Sequence, residues 1–218
     1  MKKVLLLLMM SVPAIATLHA QDTTIRSQGS ENFKRIFVEA GFGAYVPDEA
    51  CFQVMWGIGY YLSPNNRLSL DFGAGFNSKE IGSFSYTIDG STEQFNDGVI
   101  KRSYTFMPIL LSWGHEFGLS EKLKLRLGPS IGINRISAST TYTAESHNVS
   151  NFKNKPDIPS DSESTFAGAA TIALEWRLFE ASGIAFAYKI LANEAIDLEL
   201  VKLNGVSHQI GVTYWLKF

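Results

Sequence analysis

Eight stretches of the chain alternate apolar and polar residues one for one, and this period of two constrains the fold more tightly than any other feature. In Lys34 to Tyr45 the even positions are Ile36, Val38, Ala40, Phe42 and Ala44, opposite Arg35, Glu39, Gly41 and Gly43. Phe52 to Leu62, Arg67 to Phe76, Arg102 to Phe117, Lys122 to Asn134, Phe166 to Leu178, Gly183 to Leu191 and Ser207 to Phe218 repeat the pattern. The cleanest is Lys122 to Asn134, where Leu123, Leu125, Leu127, Ile131 and Ile133 oppose Lys122, Lys124, Arg126, Gly128, Ser130, Gly132 and Asn134. Successive side chains of a strand point to opposite faces, so each stretch predicts a strand with one greasy and one polar face. Each is close to the roughly nine to eleven residues that a tilted strand needs to cross a bilayer.

The connections add a second signal. Ser63 to Asn66, Gly118 to Glu121 and Phe179 to Ser182 are short, polar and turn-like. Between them lie the longer links Val46 to Cys51, Asn77 to Lys101, Arg135 to Thr165 and Ala192 to Val206. Short and long alternate without a break, as they do in an up-and-down barrel with one edge in the periplasm and the other outside the cell. The expected fold is therefore all-β: an eight-stranded antiparallel up-and-down transmembrane β-barrel.

Two closed barrels fit such strands, and they differ in which face is greasy. A soluble lipocalin-like barrel turns its apolar face inward, whereas a membrane barrel turns it to lipid. The interior of an eight-stranded barrel is just wide enough for side chains to fill. The Leu, Ile, Phe and Trp of the apolar face are too bulky for that space, while the polar face offers Gly41, Gly43, Gly57, Gly59, Gly73 and Gly75 on three neighbouring strands. Buried charges must be paired to be tolerated. Glu39, Asp71, Glu116 and Glu175 are expected to pair with Arg35, Arg102, Arg126, Arg177 or Lys189 in a structural network that plugs the lumen. Tyr60, Trp113, Phe117, Trp176, Tyr214 and Phe218 would form an interfacial belt at the short-turn end, with Phe42, Phe52 and Phe76 at the other. Only 18% of the residues are charged and the net charge is −2, so no basic surface for nucleic acid is expected.

Lys2 and Lys3 followed by the apolar run Val4 to Met10, then Pro13 and small residues, read as a signal peptide over residues 1–20 that ends at Ala20. The small-x-small triplet Ala14-Ile15-Ala16 is the alternative cut. A short periplasmic segment (21–32) and the barrel domain (33–218) would follow. No later apolar run reaches the length of a membrane helix.

Met107-Pro108-Ile109-Leu110-Leu111, Leu127-Gly128-Pro129-Ser130-Ile131-Gly132 and the ending Gly211-Val212-Thr213-Tyr214-Trp215-Leu216-Lys217-Phe218 resemble segments of the small OmpA/OmpX-like outer-membrane barrels, in particular the PorT-like "outer membrane protein β-barrel domain" family. The resemblance implies an integral outer-membrane protein of a Gram-negative bacterium. It makes Ile210, Val212, Tyr214, Leu216 and Phe218 a C-terminal assembly signal for the barrel insertion machinery, reached with the help of periplasmic chaperones. Outer-membrane lipid and lipopolysaccharide would surround the barrel, and envelope proteins are possible partners.

Chemistry is sparse. His19, His115, His147 and His208 form no zinc-ligand pattern. Ser207-His208 joins a nucleophile to a base type, but adjacent strand residues point to opposite faces. Glu80, Asp89, Glu93 and Asp97 in one long link, and Glu145, Asp157, Asp161 and Glu163 in another, lack the spacing of a calcium hand. Asn148-Val149-Ser150 matches a glycosylation triplet that this context makes uninformative. Cys51, the sole cysteine, is read as a free surface thiol in the first outer link, with an intermolecular disulfide as the alternative, and excludes an internal disulfide. No metal or cofactor is expected. The reading that results is a non-enzymatic barrel with a structural or surface-interaction role through its long outer links. A PorT-like accessory of a secretion or gliding system is the alternative, and a lipid-modifying enzyme comes third.

Overall fold

The computed structural model describes residues 35–46, 51–88, 93–144, 152–153, 155–194, 196–198, 201–203 and 205–218. The expected signal peptide with Ala20, the segment 21–32, Asp89, Glu145, His147 and the triplet Asn148–Ser150 lie outside the described residues.

Ten strands follow in chain order: β1 (Ile36–Val46), β2 (Cys51–Ser63), β3 (Asn66–Thr87), β4 (Gln94–Gly118), β5 (Leu123–Ala144), β6 (Asp161–Phe179), β7 (Ser182–Asn193), β8 (Ile196–Leu198), β9 (Val201–Leu203) and β10 (Val206–Lys217). β1 to β7 and β10 close into a barrel in which every neighbour is antiparallel, and β8 and β9 form a separate hairpin. Among the described residues there is no helix. The closure runs along ten paired positions between β1 and β10, from Phe37↔Lys217 to Val46↔His208. Ile210, Val212, Tyr214 and Leu216 lie in this seam opposite Ala44, Phe42, Ala40 and Val38.

Register carries the alternation coherently around the wall. Phe52 faces Phe76, Trp56 faces Phe72, and Phe72 faces Ile109 in turn. The apolar set stands outside: Phe42 is 62% exposed, Phe76 53%, Ile131 54%, Trp176 54% and Phe186 54%. The inward set is buried, including Arg67, Arg102, Glu116, Arg126 and Glu175. Lining the wall with glycine is what lets the interior fill. A Cβ at Gly59 would sit 2.3 Å from the Phe37 ring, and one at Gly211 would sit 2.1 Å from the Met55 methyl group.

Much of two expected long links is strand instead. β3, β4, β5 and β6 run for 22, 25, 22 and 19 residues, against 11 to 13 for the other barrel strands. β3 and β4 pair out to Thr87↔Gln94, and β4 and β5 to Gly98↔Ala144. A sheet therefore projects beyond the barrel at the long-loop end. It has its own core: Phe84, Tyr86, Ile100 and Phe152 are buried, with Ile81, Phe95, Tyr142 and Ile158 packed against them. Residues 152–153 and 155–160 strap this face. Lys153 bridges to Thr87, the Tyr142 hydroxyl donates to the Pro156 carbonyl at 2.5 Å, and Arg102 donates to the Pro159 carbonyl at 2.7 Å.

Candidate functional site

The interior of the barrel is where the sequence concentrates its charge, and its contents fall into two layers. At the short-turn end the inward positions of β1, β3, β4, β5 and β6 bring Glu39, Arg67, Glu116, Arg126 and Glu175 together. Arg67, with a side chain 3% exposed, is the hub. Its Nη2 lies 3.1 Å from Glu39 Oε2, and its Nη1 lies 3.3 Å from Glu175 Oε1 and 3.9 Å from Glu116 Oε1. The guanidinium also sits 4.4 Å from the centre of the Phe37 ring. Arg126 Nη1 is shared between Glu175 at 3.2 Å and Glu39 at 3.4 Å. Glu116 accepts from Lys124 Nζ at 2.8 Å and from the Tyr61 hydroxyl at 2.5 Å. Lys217 caps the layer, with Nζ 4.1 Å from the Tyr61 ring centre and 4.9 Å from that of Trp215. Closer to the middle, Asp71 Oδ2 accepts from Lys189 Nζ at 3.1 Å and from Ser112 Oγ at 2.6 Å. Every carboxylate of the layer has a cationic partner, which is the condition for holding charge in so narrow a space.

Toward the long-loop end the filling turns apolar. Tyr45, Cys51, Tyr104, Phe106, Leu110, Ile136, Ala138, Ala167, Ala169 and Leu191 form one buried cluster. The Tyr45 and Phe106 rings stand 5.0 Å apart. The Tyr45 hydroxyl is held by Ser207 Oγ at 3.0 Å and Asn134 Nδ2 at 3.2 Å. Together the two layers place paired charges and packed apolar side chains inside the barrel.

Six members of the expected charge network, Glu39, Asp71, Glu116, Arg126, Glu175 and Lys189, stand in or beside the ionic layer. Three do not, and their assignment is corrected. Arg35 precedes β1, is exposed, and donates to the Tyr60 hydroxyl on the outer wall at 2.9 Å. Arg177 is exposed at the short-turn mouth, where the β6–β7 register shifts. Arg102 is buried but lies at the opposite end, where its Nη1 serves Thr140 Oγ1 and the strap rather than a carboxylate. Cys51 is likewise corrected from a surface thiol: it opens β2 inside the apolar layer, and its Sγ donates to the Tyr45 carbonyl at 3.1 Å. Arg67, Lys124 and Lys217 are members that the sequence reading passed over. The available signal was phase, since all three share the inward register of Asp71, Arg126 and Thr213.

Ser207 and His208 separate as strand geometry requires. Ser207 turns into the lumen, while His208 is exposed and its Nδ1 lies 2.7 Å from the Tyr188 hydroxyl. Among the described residues no group of His, Cys, Asp and Glu is arranged to hold a metal ion.

Solved structures share this architecture. Surface protein A of Neisseria aligns with a TM-score of 0.50 at 13% identity, over 84% of this chain and 96% of that one. The fold is that of the small eight-stranded outer-membrane barrels. A major outer membrane protein of Thermus thermophilus aligns at 12% identity with a TM-score of 0.49, over 84% of this chain and 99% of that one. The N-terminal β-barrel domain of Pseudomonas aeruginosa OprF aligns at 13% identity with a TM-score of 0.43, over 85% of this chain and 98% of that one. No protein-family model and no curated protein sequence matches the chain.

Proposed function

We propose that the chain is a non-enzymatic integral protein of a Gram-negative outer membrane that docks protein partners along the open edge of its projecting sheet. One observation carries this reading. Among the described residues, the β3 stretch beyond Phe76, the last residue paired with β2, has strand pairing with β4 from Asn77 to Tyr86, and Lys153 bridges to the opposite side at Thr87. A free strand edge presents a row of backbone donors and acceptors, and addition of an extended segment satisfies them. A barrel serving only as a wall has no use for a stiffened sheet of this length. The exposed apolar band supports burial in lipid and contact with lipopolysaccharide, since charge faces inward and hydrocarbon cannot solvate it. The outward phase of Ile210, Val212 and Tyr214 in β10 supports delivery by periplasmic chaperones to the barrel insertion machinery. The opposed directions of Ser207 and His208 support the non-enzymatic reading.

The test uses intact cells carrying a photo-crosslinking residue at Ser83, which is exposed on the free strand. The expected result is a covalent adduct with an envelope or external protein. The same residue placed at Ile131, on the outward face of the barrel wall, should give no such adduct. An absent adduct at Ser83, or the same adduct from Ile131, contradicts the reading. Recovery of the protein in an inner-membrane or soluble fraction would remove the location.

A further inference from the structure

Arg102 departs from the pairing that the other buried cations show. Arg67, Arg126 and Lys189 each have a carboxylate oxygen at 3.1 or 3.2 Å. Arg102 is 0% exposed, and no carboxylate among the described residues pairs with it. Its two hydrogen bonds, to Thr140 Oγ1 and the Pro159 carbonyl, both leave from Nη1. Nε and Nη2 are buried without a partner. Those two N–H groups lie on one edge of the planar guanidinium and form the fork that receives two oxygens of a single carboxylate or phosphate. The bonds from Nη1 hold that edge in place.

A second cation stands beside it. Lys79 of β3 is directly opposite Arg102 of β4, so both side chains leave the sheet on the same face, where like charges repel. Thr140 of β5 is directly opposite Arg102 on the other side and adds a hydroxyl to the row. The acids that share this face on β6, Asp161 and Glu163, stand opposite Ala138 and Ile136. Asp161 accepts from the Ser162 backbone N–H at 2.7 Å rather than from Arg102.

We propose that Arg102, with Lys79 and Thr140 beside it, is a binding site for one small oxyanion group, a phosphate or a carboxylate, at the long-loop mouth of the barrel. An uncompensated buried charge is costly, and an anion on the Nε–Nη2 edge removes that cost. The donors select the ligand class: a guanidinium only donates, which excludes a metal cation, and a neutral sugar would leave the charge unmatched. Entry is short, because Pro159, the strap residue that touches the guanidinium, is itself exposed. The site does not depend on partner docking along β3.

The test titrates the full protein in detergent micelles with sodium phosphate and, separately, with sodium glucuronate. Thermal unfolding is the readout, against sodium chloride at matched ionic strength. At least one of the two anions should raise the unfolding midpoint saturably, and the one that saturates at the lower concentration names the group. Arg102→Met should abolish the saturable rise. Lys79→Gln, at an exposed position, should raise the half-saturating concentration by about threefold. A rise no larger than that in chloride, or one that Arg102→Met retains in full, overturns the proposal. Should Arg102→Met fail to fold, crystals of the wild-type protein grown in the saturating anion decide. Anion density on Nε and Nη2 supports the site; a fork taken by Asp161 or Glu163, or one without anion density, overturns it.

Discussion

Arg67 shows how one side chain can organise a lumen. It reaches three carboxylates from three strands, and its guanidinium covers Phe37. Removing one partner from a buried ionic cluster leaves uncompensated charge, at a cost of about 3–5 kcal/mol. Arg67→Met is therefore expected to lower the unfolding free energy measured in urea by that order, and Arg67→Lys, which keeps the charge but loses the fork, by less. Equal stability of Arg67→Met and wild type would contradict the hub assignment. The residue-scale reading of the sequence succeeded where phase was enough: Glu39, Asp71, Glu116 and Glu175 are inward because they alternate with lipid-facing neighbours. It failed at Arg35 and Arg177, which keep the inward phase but stand where the wall has ended. It failed at Arg102 for a different reason, because alternation gives direction and not depth.

The element scale is where most was hidden. The stretches Asn77 to Lys101 and Arg135 to Thr165 are rich in Ser, Thr and Asn, and the sequence offers them as links. Outside a bilayer a strand need not carry large apolar residues on its outer face. β5 shows the point: Ile136, Ala138, Thr140 and Tyr142 alternate with Ser137, Ser139, Thr141 and Thr143, a period of two written in hydroxyls. The inner residues bury against the strap instead, with Phe152 edge-on to Phe84 at 5.4 Å and to Tyr86 at 4.9 Å. Two register shifts, at Glu80/Gly82 and Phe84/Tyr86, further break the pattern in β3. Tyr86→Ala is expected to release the strap while the barrel stays folded. Trypsin cleavage after Lys153 should quicken by an order of magnitude or more, with no change in the unfolding midpoint of the barrel. Cleavage at the wild-type rate would show that the aromatic cluster does not hold the strap.

At the scale of the whole molecule, one tube holds two kinds of filling. The ionic layer ties strands together across the short-turn end, and the apolar layer removes water nearer the long-loop end. Wide channels need about twice as many strands. Purified protein in planar bilayers should therefore show no large, stable conductance, and a porin-sized step would contradict the filled lumen. Closure itself was legible in the sequence, because eight alternating segments joined by links of alternating length admit few other arrangements. The division of the lumen was not, since it depends on how far each strand is displaced along its neighbour.

Which face meets lipid decides the rest, and four tryptophans report it. Trp56, Trp113 and Trp176 stand on the outward phase, while Trp215 is 4% exposed inside the barrel. The measurement is fluorescence quenching of single-tryptophan variants, the other three replaced by Phe, in bilayers of brominated lipid. Trp56, Trp113 and Trp176 should be strongly quenched and Trp215 spared; quenching of Trp215 with the other three untouched would mean that the barrel is inside out.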